Sequence, residues 1–380
     1  MTSLSTAVAD RRDQMLARLE VLVNIDSGTF NKPEVDRAAR TMAGWLAELG
    51  LDTELFPQSE RGDHVVARKV GTEGRMVLLV GHCDTVFPAG EAARRPFRRE
   101  GERAFGPGIY DMKGGLVVMM AALAALKAAA PATWDALGLI VVVNGDEEIA
   151  SPTSRPLIEA AAQAADLVCV LEPARVNGEY VTQRKGVGTY TLQVTGKAAH
   201  AGARPEDGAS ALHELLRKLN AVLDLPRPDG FTLNVGVVRG GIRPNVVADL
   251  AEAEIDVRAP TPADVDWIDA AMRRIAAETH VPGTTTVLGG GVEFPPMPRT
   301  AASLALFELV RQAGAEQGLT LEHTATGGGS DGNYASQFAP TLDGMGVRGG
   351  GAHSADEFIY VDSLVERAQV LARFLELWSR

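Results

Sequence analysis

The stretch LGLIVVVNGDEE, residues 137–148, runs an unbroken apolar segment into three adjacent acids. A short run of this kind reads as a strand buried on both faces. Adjacent carboxylates repel one another, and burial raises that cost. The acids at its end therefore either reach solvent or surround a cation. Two further apolar runs close in a similar way: MVLLVGHCDTV (76–86) leads into His82 and Asp84, and DLVCVLEP (166–173) ends at Glu172. Between them, GPGIYDMKGG (106–115) precedes the Ala-rich LVVMMAALAALKAAA (116–130), which reads as a buried helix. Strands alternating with helices specify an α/β fold, a mostly parallel central sheet with helices on both faces. In such sheets ligands gather beyond the carboxyl ends of the strands. His82, Asp84, Glu147, Glu148 and Glu172 all fall there.

Working outward, residues 8–24 and 33–50 show helical spacing. From about residue 184 the texture changes. GTYTLQVTG (188–196) alternates like a half-exposed strand, and GASALHELLRKLNAVL (208–223) is an amphipathic helix. FTLNVGVVRGG (231–241) and DLAEAEIDVRAP (249–260) read as strands, and TPADVDWIDAAMRRIAAETH (261–280) as a Thr-capped helix. This is a β-α-β-β-α-β-like order, predicting a ferredoxin-like α+β domain. GGGVEFPPMPRT (289–300) reads as the linker back. Two helices after about residue 300, separated by TGGGSDGNY (326–334) and GGAHSADEFIYV (350–361), rejoin the first sheet. The expected organisation is a discontinuous domain, 1–183 and 298–380, with 184–297 inserted.

The formal net charge of −12 argues against nucleic acid or a polybasic membrane anchor as partner. The 116–130 segment is too short, and with Lys127 too charged, to span a bilayer. The N-terminal stretch lacks the basic start and apolar core of a signal peptide, so a cytoplasmic location is expected. Cys83 and Cys169 form no framework pattern and should be reduced.

Period-two alternation puts His82 and Asp84 on one side of their segment and Cys83 on the other. His82 suits a metal ligand whose ring Asp84 orients. Asp111 in YDMKGG is a further candidate ligand, or a helix N-cap. His353 lies in the Gly-rich GGAHSADEF. A mixed His/carboxylate set suits zinc, and also cobalt or manganese. If one carboxylate bridges two ions, each needs only two further ligands, which leaves positions for water and substrate. One of the paired glutamates then neutralises a metal and the other is free to move a proton. The spacing alone leaves their roles open, since Asp146 and Glu148 would share a strand face.

These motifs, together with GKAAHAG (196–202) and LEVLVNIDSGTF (19–30), occur in the order seen in the M20 metallopeptidases, and the sequence resembles the carboxypeptidase G2-like glutamate carboxypeptidases among them. The resemblance covers nearly the whole chain. It implies a zinc-exopeptidase-like main domain, two zinc ions per subunit and a homodimer built through the inserted lid. It implies that His82 and Glu172 hold one zinc, Glu148 and His353 the other, and that Asp111 bridges them, often with a cis peptide after it. Asp84 would orient His82, and Glu147 would be the general base. His200 would reach the partner subunit's site and stabilise the reacting carbonyl oxygen. Asn245 and Arg258 match lid positions that bind the substrate carboxylate.

The implied reaction is amide hydrolysis of an N-acyl or dipeptide-like substrate, releasing the C-terminal amino acid. The hinge Arg of the glutamate-specific relatives has no counterpart before Arg299. An N-acyl-amino-acid amidohydrolase of other preference is the alternative. A metal-bound binding protein without catalysis is the reading from another class. GPGIYD lacks the third glycine of a dinucleotide fingerprint, and TGGGSDG lacks the Lys-Ser/Thr ending of a P-loop. His64, His213, His280 and His323 read as surface or structural residues.

Overall fold

In the computed structural model, which describes residues 3–380, each of the apolar runs forms a strand. The main sheet has the order Asp52–Phe56, His64–Lys69, Gly138–Asn144, Met76–His82, Leu167–Val170, Thr341–Leu342. Its first two pairings are antiparallel and the remaining three are parallel. Alternate residues bury against different layers. Val77, Leu79, Val141, Val143, Leu167 and Cys169 join the core that contains the helix Gly114–Ala129. Leu78, Val80, Ile140, Val142 and Val168 are buried on the other face, where the helix Arg155–Gln163 meets the two central strands. The sheet is thus covered on both sides, as the continuous apolar runs require.

The helix Gly114–Ala129 buries nearly every side chain. The longer helical stretch Ile109–Ala129 is apolar enough to cross a membrane, yet 89% of its most apolar window is buried within the protein. It is a core helix.

The chain divides into two compact units. One comprises Met1–Gln183, Arg299–Thr326 and Ser330–Arg380; the other comprises Arg184–Pro298 and Gly327–Gly329. The second unit has strands Gly186–Thr195, Thr232–Gly240, Leu250–Ala259 and Thr285–Phe294, and helices Ala211–Leu223 and Pro262–Ala277. Taken in chain order, its sheet runs second, third, first, fourth, with every pair antiparallel. This is the ferredoxin-like arrangement. The first strand alternates buried and part-exposed along its length, and Thr261 caps the second helix in a reciprocal capping box with Asp264.

Two readings need correction. Residues 289–294 are no linker but the end of the fourth strand. The triple glycine misled because it breaks the β pattern. Gly290 has φ 72°, and a Cβ there would lie 2.0 Å from the Thr189 carbonyl oxygen of the neighbouring strand. Glycine is needed for that close approach. Within TGGGSDGNY, Asp331–Ala335 is a short helix capped by Ser330.

Candidate metal centre

Sheet register assembles the site. His82 pairs with Asn144 across parallel strands, and Val80 with Val170. His82, the turn after Asn144 and Glu172 therefore emerge along one sheet edge. Glu147–Ile149 form a single 3-10 turn rather than a strand continuation. Asp146 and Glu148 consequently do not share a strand face. Asp146 points into the protein, where it accepts from Thr153 N (2.7 Å), Thr153 Oγ1 and Ser154 Oγ. His64 extends this network: its Nδ1 accepts from Gly145 N and its Nε2 meets Thr153 Oγ1 at 2.8 Å. Of the three adjacent acids, the first anchors the turn, which frees the other two to enter the site.

Asp84 is a second anchor. Its carboxylate accepts from Thr29 Oγ1 (2.8 Å), Glu147 N (3.2 Å) and Glu148 N (3.3 Å), and lies 3.3 Å from His82 Nδ1. It thus holds both the imidazole and the backbone of the two glutamates. His82 Nδ1 also sits 3.1 Å from the Asp84 carbonyl, so the ring directs Nε2 outward.

Asp111 caps no helix. It lies in the irregular turn Ile109–Lys113, and its peptide bond to Met112 is cis. Glu357, fully buried, accepts from Gly108 N, Tyr110 N and Asp111 N and so shapes this turn. His353 stands in left-handed backbone at φ 61°, a conformation that a non-glycine residue adopts at a cost and often at functional sites.

These elements bring His82, Asp111, Glu147, Glu148, Glu172 and His353 together. His82 Nε2 lies 3.4 Å from Asp111, 3.5 Å from Glu172 and 3.8 Å from Glu147. His353 Nε2 lies 3.2 Å from Asp111 and 3.4 Å from Glu148. Asp111 thus stands between the two histidines. His82–Asp111–Glu148 and His82–Glu147–Glu172 each offer donor atoms within 4.8 Å of one another.

The electrostatics describe a site short of positive charge. Burial, with Glu172, Asp331 and Glu148 nearby, pushes Glu147 well above the usual carboxylate range. Burial and the Asp111 and Asp84 charges push Glu148 up to about 7, against the bond to His353. For Asp111, burial is outweighed by the neighbouring His353 and His82 imidazoles, which hold it below the usual range. Burial opposes charge on His82, but Asp111, Asp84 and Glu172 outweigh it and raise the imidazole well above its ordinary value. Bonds to Asp111 and Glu148 push His353 up to about 10, against burial. Protons here stand in for cations.

The donor set fits divalent metal. The buried His82 Nε2 has no hydrogen-bond partner among the described residues, despite three carboxylates around it. Bonds of about 2.0–2.1 Å at tetrahedral angles put ligand atoms roughly 3.3 Å apart, close to the spacings around His82 and His353. All donors are imidazole nitrogen or carboxylate oxygen, the ligand types of zinc, cobalt and manganese sites.

Sequence reasoning missed Glu357, Thr29 and Asp331 as supports. Asp331 bonds Asn144 and Ser151, and burial pushes it up to about 7. Thr29 and Glu357 are lone polar residues in loops and Asp331 opens a short helix, and only the fold shows what each holds.

The remaining candidates belong to the second unit. His200 Nδ1 accepts from Gly202 N (3.2 Å) and Ala203 N (3.1 Å), which leaves Nε2 as the donor nitrogen of an exposed ring. Asn245 is its neighbour: His200 bridges Val246, and Ala201 N bonds the Asn245 carbonyl. Arg258 makes a bidentate pair with Asp256, at 3.0 and 2.8 Å. Of the other histidines, His323 packs on Phe307 and bonds Thr182, and His213 and His280 lie outside the cluster.

The chain is similar to known proteins. The family described as Peptidase family M20/M25/M40 matches residues 78–377. Carboxypeptidase G2 of a Pseudomonas species is 31% identical over 98% of this chain and 91% of its own length. An N-acetyl-L-citrulline deacetylase of Xanthomonas campestris is 32% identical over 67% of this chain and 68% of its own. In fold, aminopeptidase PepT of Bacillus cereus matches with a TM-score of 0.78 at 22% identity, covering 97% of this chain and 99% of that one. A Bacillus subtilis protein described as a dinuclear metal-binding M20 peptidase matches with a TM-score of 0.72 at 16% identity, covering 97% and 99%. With the profile spanning most of the sequence and identity sustained end to end, this chain belongs to Peptidase family M20/M25/M40 and is an amide-bond hydrolase.

Proposed function

We propose that this protein is a di-zinc hydrolase that releases the C-terminal amino acid from N-acyl or dipeptide-like substrates. The observation that carries the reading is the unpartnered His82 Nε2 within a ring of carboxylates, with Glu147 beside it. His82 and Glu172 would hold one ion, Glu148 and His353 the other, and Asp111 would bridge. When bound, divalent ions lower the pKa of water towards about 7 and polarise a carbonyl.

The chain's own residues do the rest. Glu147 takes a proton from water as its oxygen attacks the amide carbon. As the C–N bond breaks, Glu147 returns that proton to the leaving nitrogen, so acid and amine are released and the base is restored. Asp84 fixes the His82 ring and the turn that aims Glu147. His200 of a second copy, with Nε2–H outward, would donate to the developing oxyanion. Asn245 and Arg258 would receive the substrate carboxylate, with the Arg fork exchanging Asp256 for it. A homodimer through the second unit follows from the role given to His200. Two buried free thiols, Cys83 and Cys169, suit the reducing cytoplasm.

Glutamate at the C-terminal position is the preference that the likeness to carboxypeptidase G2 supports. The deacetylase likeness favours a second reading, an aminoacylase of other preference. The test is free amino-acid release, with zinc added, from N-acyl amino acids and dipeptides ending in Glu, Asp, Leu, Phe or Gly. Concentration on Glu supports the first reading, and preference for an apolar residue the second. No release from any member of the panel refutes both.

A further inference from the structure

A cavity of about 560 Å³ opens beside Glu148 within the first unit. Its wall is made by Phe30, Val86, Phe87, Pro88, Ala89 and Ile149, six apolar side chains from three separate loops. Phe30 is 74% exposed and Val86 42% exposed. Exposed apolar groups gathered around a concavity mark a binding surface more than chance placement does.

Of the three uncharged polar side chains there, Thr29 and Asn31 are engaged elsewhere and Thr85 offers a hydroxyl. Thr29 Oγ1 bonds Asp84, and the Asn31 amide donates to the Asp26 carbonyl. Among the described residues no lysine or arginine is part of the lining, in which Glu148 is the one charged group, although the Arg61 and Arg95 guanidiniums stack on the Phe30 and Phe87 rings, 5.0 and 4.7 Å from their centres. A free carboxylate placed there would exchange water for a mostly apolar wall. A protonated amino terminus would have to compete with metal for Glu148. What the wall can bury without loss is uncharged and apolar.

We infer that this cavity is the acyl subsite and that it takes an uncharged apolar acyl group larger than acetyl. The inference rests on the reading above, in which the amino-acid half is held by its carboxylate. That carboxylate does not suit a mostly apolar wall, so the acyl half takes it. Ile149 follows Glu148 directly, so the subsite is built into the same turn as the candidate ligand and base.

The experiment compares N-hexanoyl, N-benzoyl, N-acetyl and N-succinyl derivatives of one amino acid on the zinc-supplemented full-length enzyme. Wild type should cleave the hexanoyl and benzoyl compounds with kcat/KM about tenfold or more above acetyl, and succinyl worst. Phe30→Ala should lower kcat/KM for hexanoyl and benzoyl about tenfold and for acetyl by much less, so that the preference over acetyl shrinks. Val86→Lys should raise succinyl relative to hexanoyl. Equal cleavage of all four, or an equal loss across all four in Phe30→Ala, overturns the subsite while amide hydrolysis stands. A shift that follows the amino-acid side chain and not the acyl group assigns the cavity to the other half of the substrate and also overturns it. No cleavage of any compound overturns the hydrolase reading and the subsite together.

Discussion

Glu147 and Glu148 are adjacent, yet they stand in different surroundings. Glu148 bonds His353, whereas Glu147 lies nearer His82 Nε2 and Glu172. In Glu147→Gln the side chain keeps its shape and loses its proton affinity. Steady-state kinetics should then give a kcat lower by about 100- to 10,000-fold. Metal content should stay at the wild-type value, and the melting temperature should not fall, because one crowded acid is removed. Near-normal turnover would rule Glu147 out as the base. Candidates of this kind are legible in the sequence: His82, Asp111, Glu148, Glu172 and His353 each sit in a short, quotable motif, and the fold brings their side chains together. What was not legible was the division of labour among Asp146, Glu147 and Glu148. That depends on a 3-10 turn held by Asp84 and by Thr153 and Ser154, and no local spacing encodes it.

At the scale of elements, single buried acids hold whole segments. Glu357 accepts three backbone N–H groups from the Asp111 turn. Glu357→Ala would leave those donors unpaired and the turn loose. Metal affinity, read by competition with a chelating dye, should weaken by about 10- to 100-fold. In the second unit, Lys218 and Glu214 form a fully buried pair. Lys218 donates to the Ile275, Ala276 and Glu278 carbonyls at the end of one helix, and Glu214 accepts from His280 N and Val281 N. The pair ties helix Ala211–Leu223 to the end of helix Pro262–Ala277.

Glu214→Ala leaves a buried cation, and denaturant unfolding should show a loss of about 3 kcal/mol. Burial works against the Glu214 charge, but the bonds from Lys218, Val281 and His280 outweigh it and hold the carboxyl below its ordinary value. The sign follows. The stabilisation is complete above the unfolded glutamate pKa of about 4.3 and is lost as pH falls through the lower folded value. Acid unfolding of Glu214→Gln should lack that component below about pH 4.

At the scale of the molecule, two outcomes bear on metal and assembly. With free metal a thousandfold above its dissociation constant, linkage stabilises the native state by about 4 kcal/mol. Chelation should therefore lower the melting temperature by several degrees and abolish turnover, and added zinc, cobalt or manganese should restore both. An unchanged melting curve would argue that the carboxylate ring holds no structural cation. Sedimentation at working concentration should give a dimer. A monomer would remove the homodimer, and with it the role of His200 in a second copy's site.

Much of this protein was determined locally. Short, Val-rich apolar runs bounded by turn residues specify strands covered on both faces, and acids or histidines at their ends face whatever lies beyond the sheet. The amphipathic periods of the second unit likewise specify its α and β segments one by one. The end of the last strand escaped because Gly289, Gly290 and Gly291 erase the β signal, while the pairing with Gly186–Thr195 that stabilises it is long-range. The tertiary structure alone decided three things: that the acid triplet splits into an anchor and two site groups, that Glu357 shapes the Asp111 turn from 246 residues away, and that Phe30 and Ile149 share one cavity wall. Each depends on contacts between segments far apart in sequence, and periodicity and local propensity carry no information about such contacts.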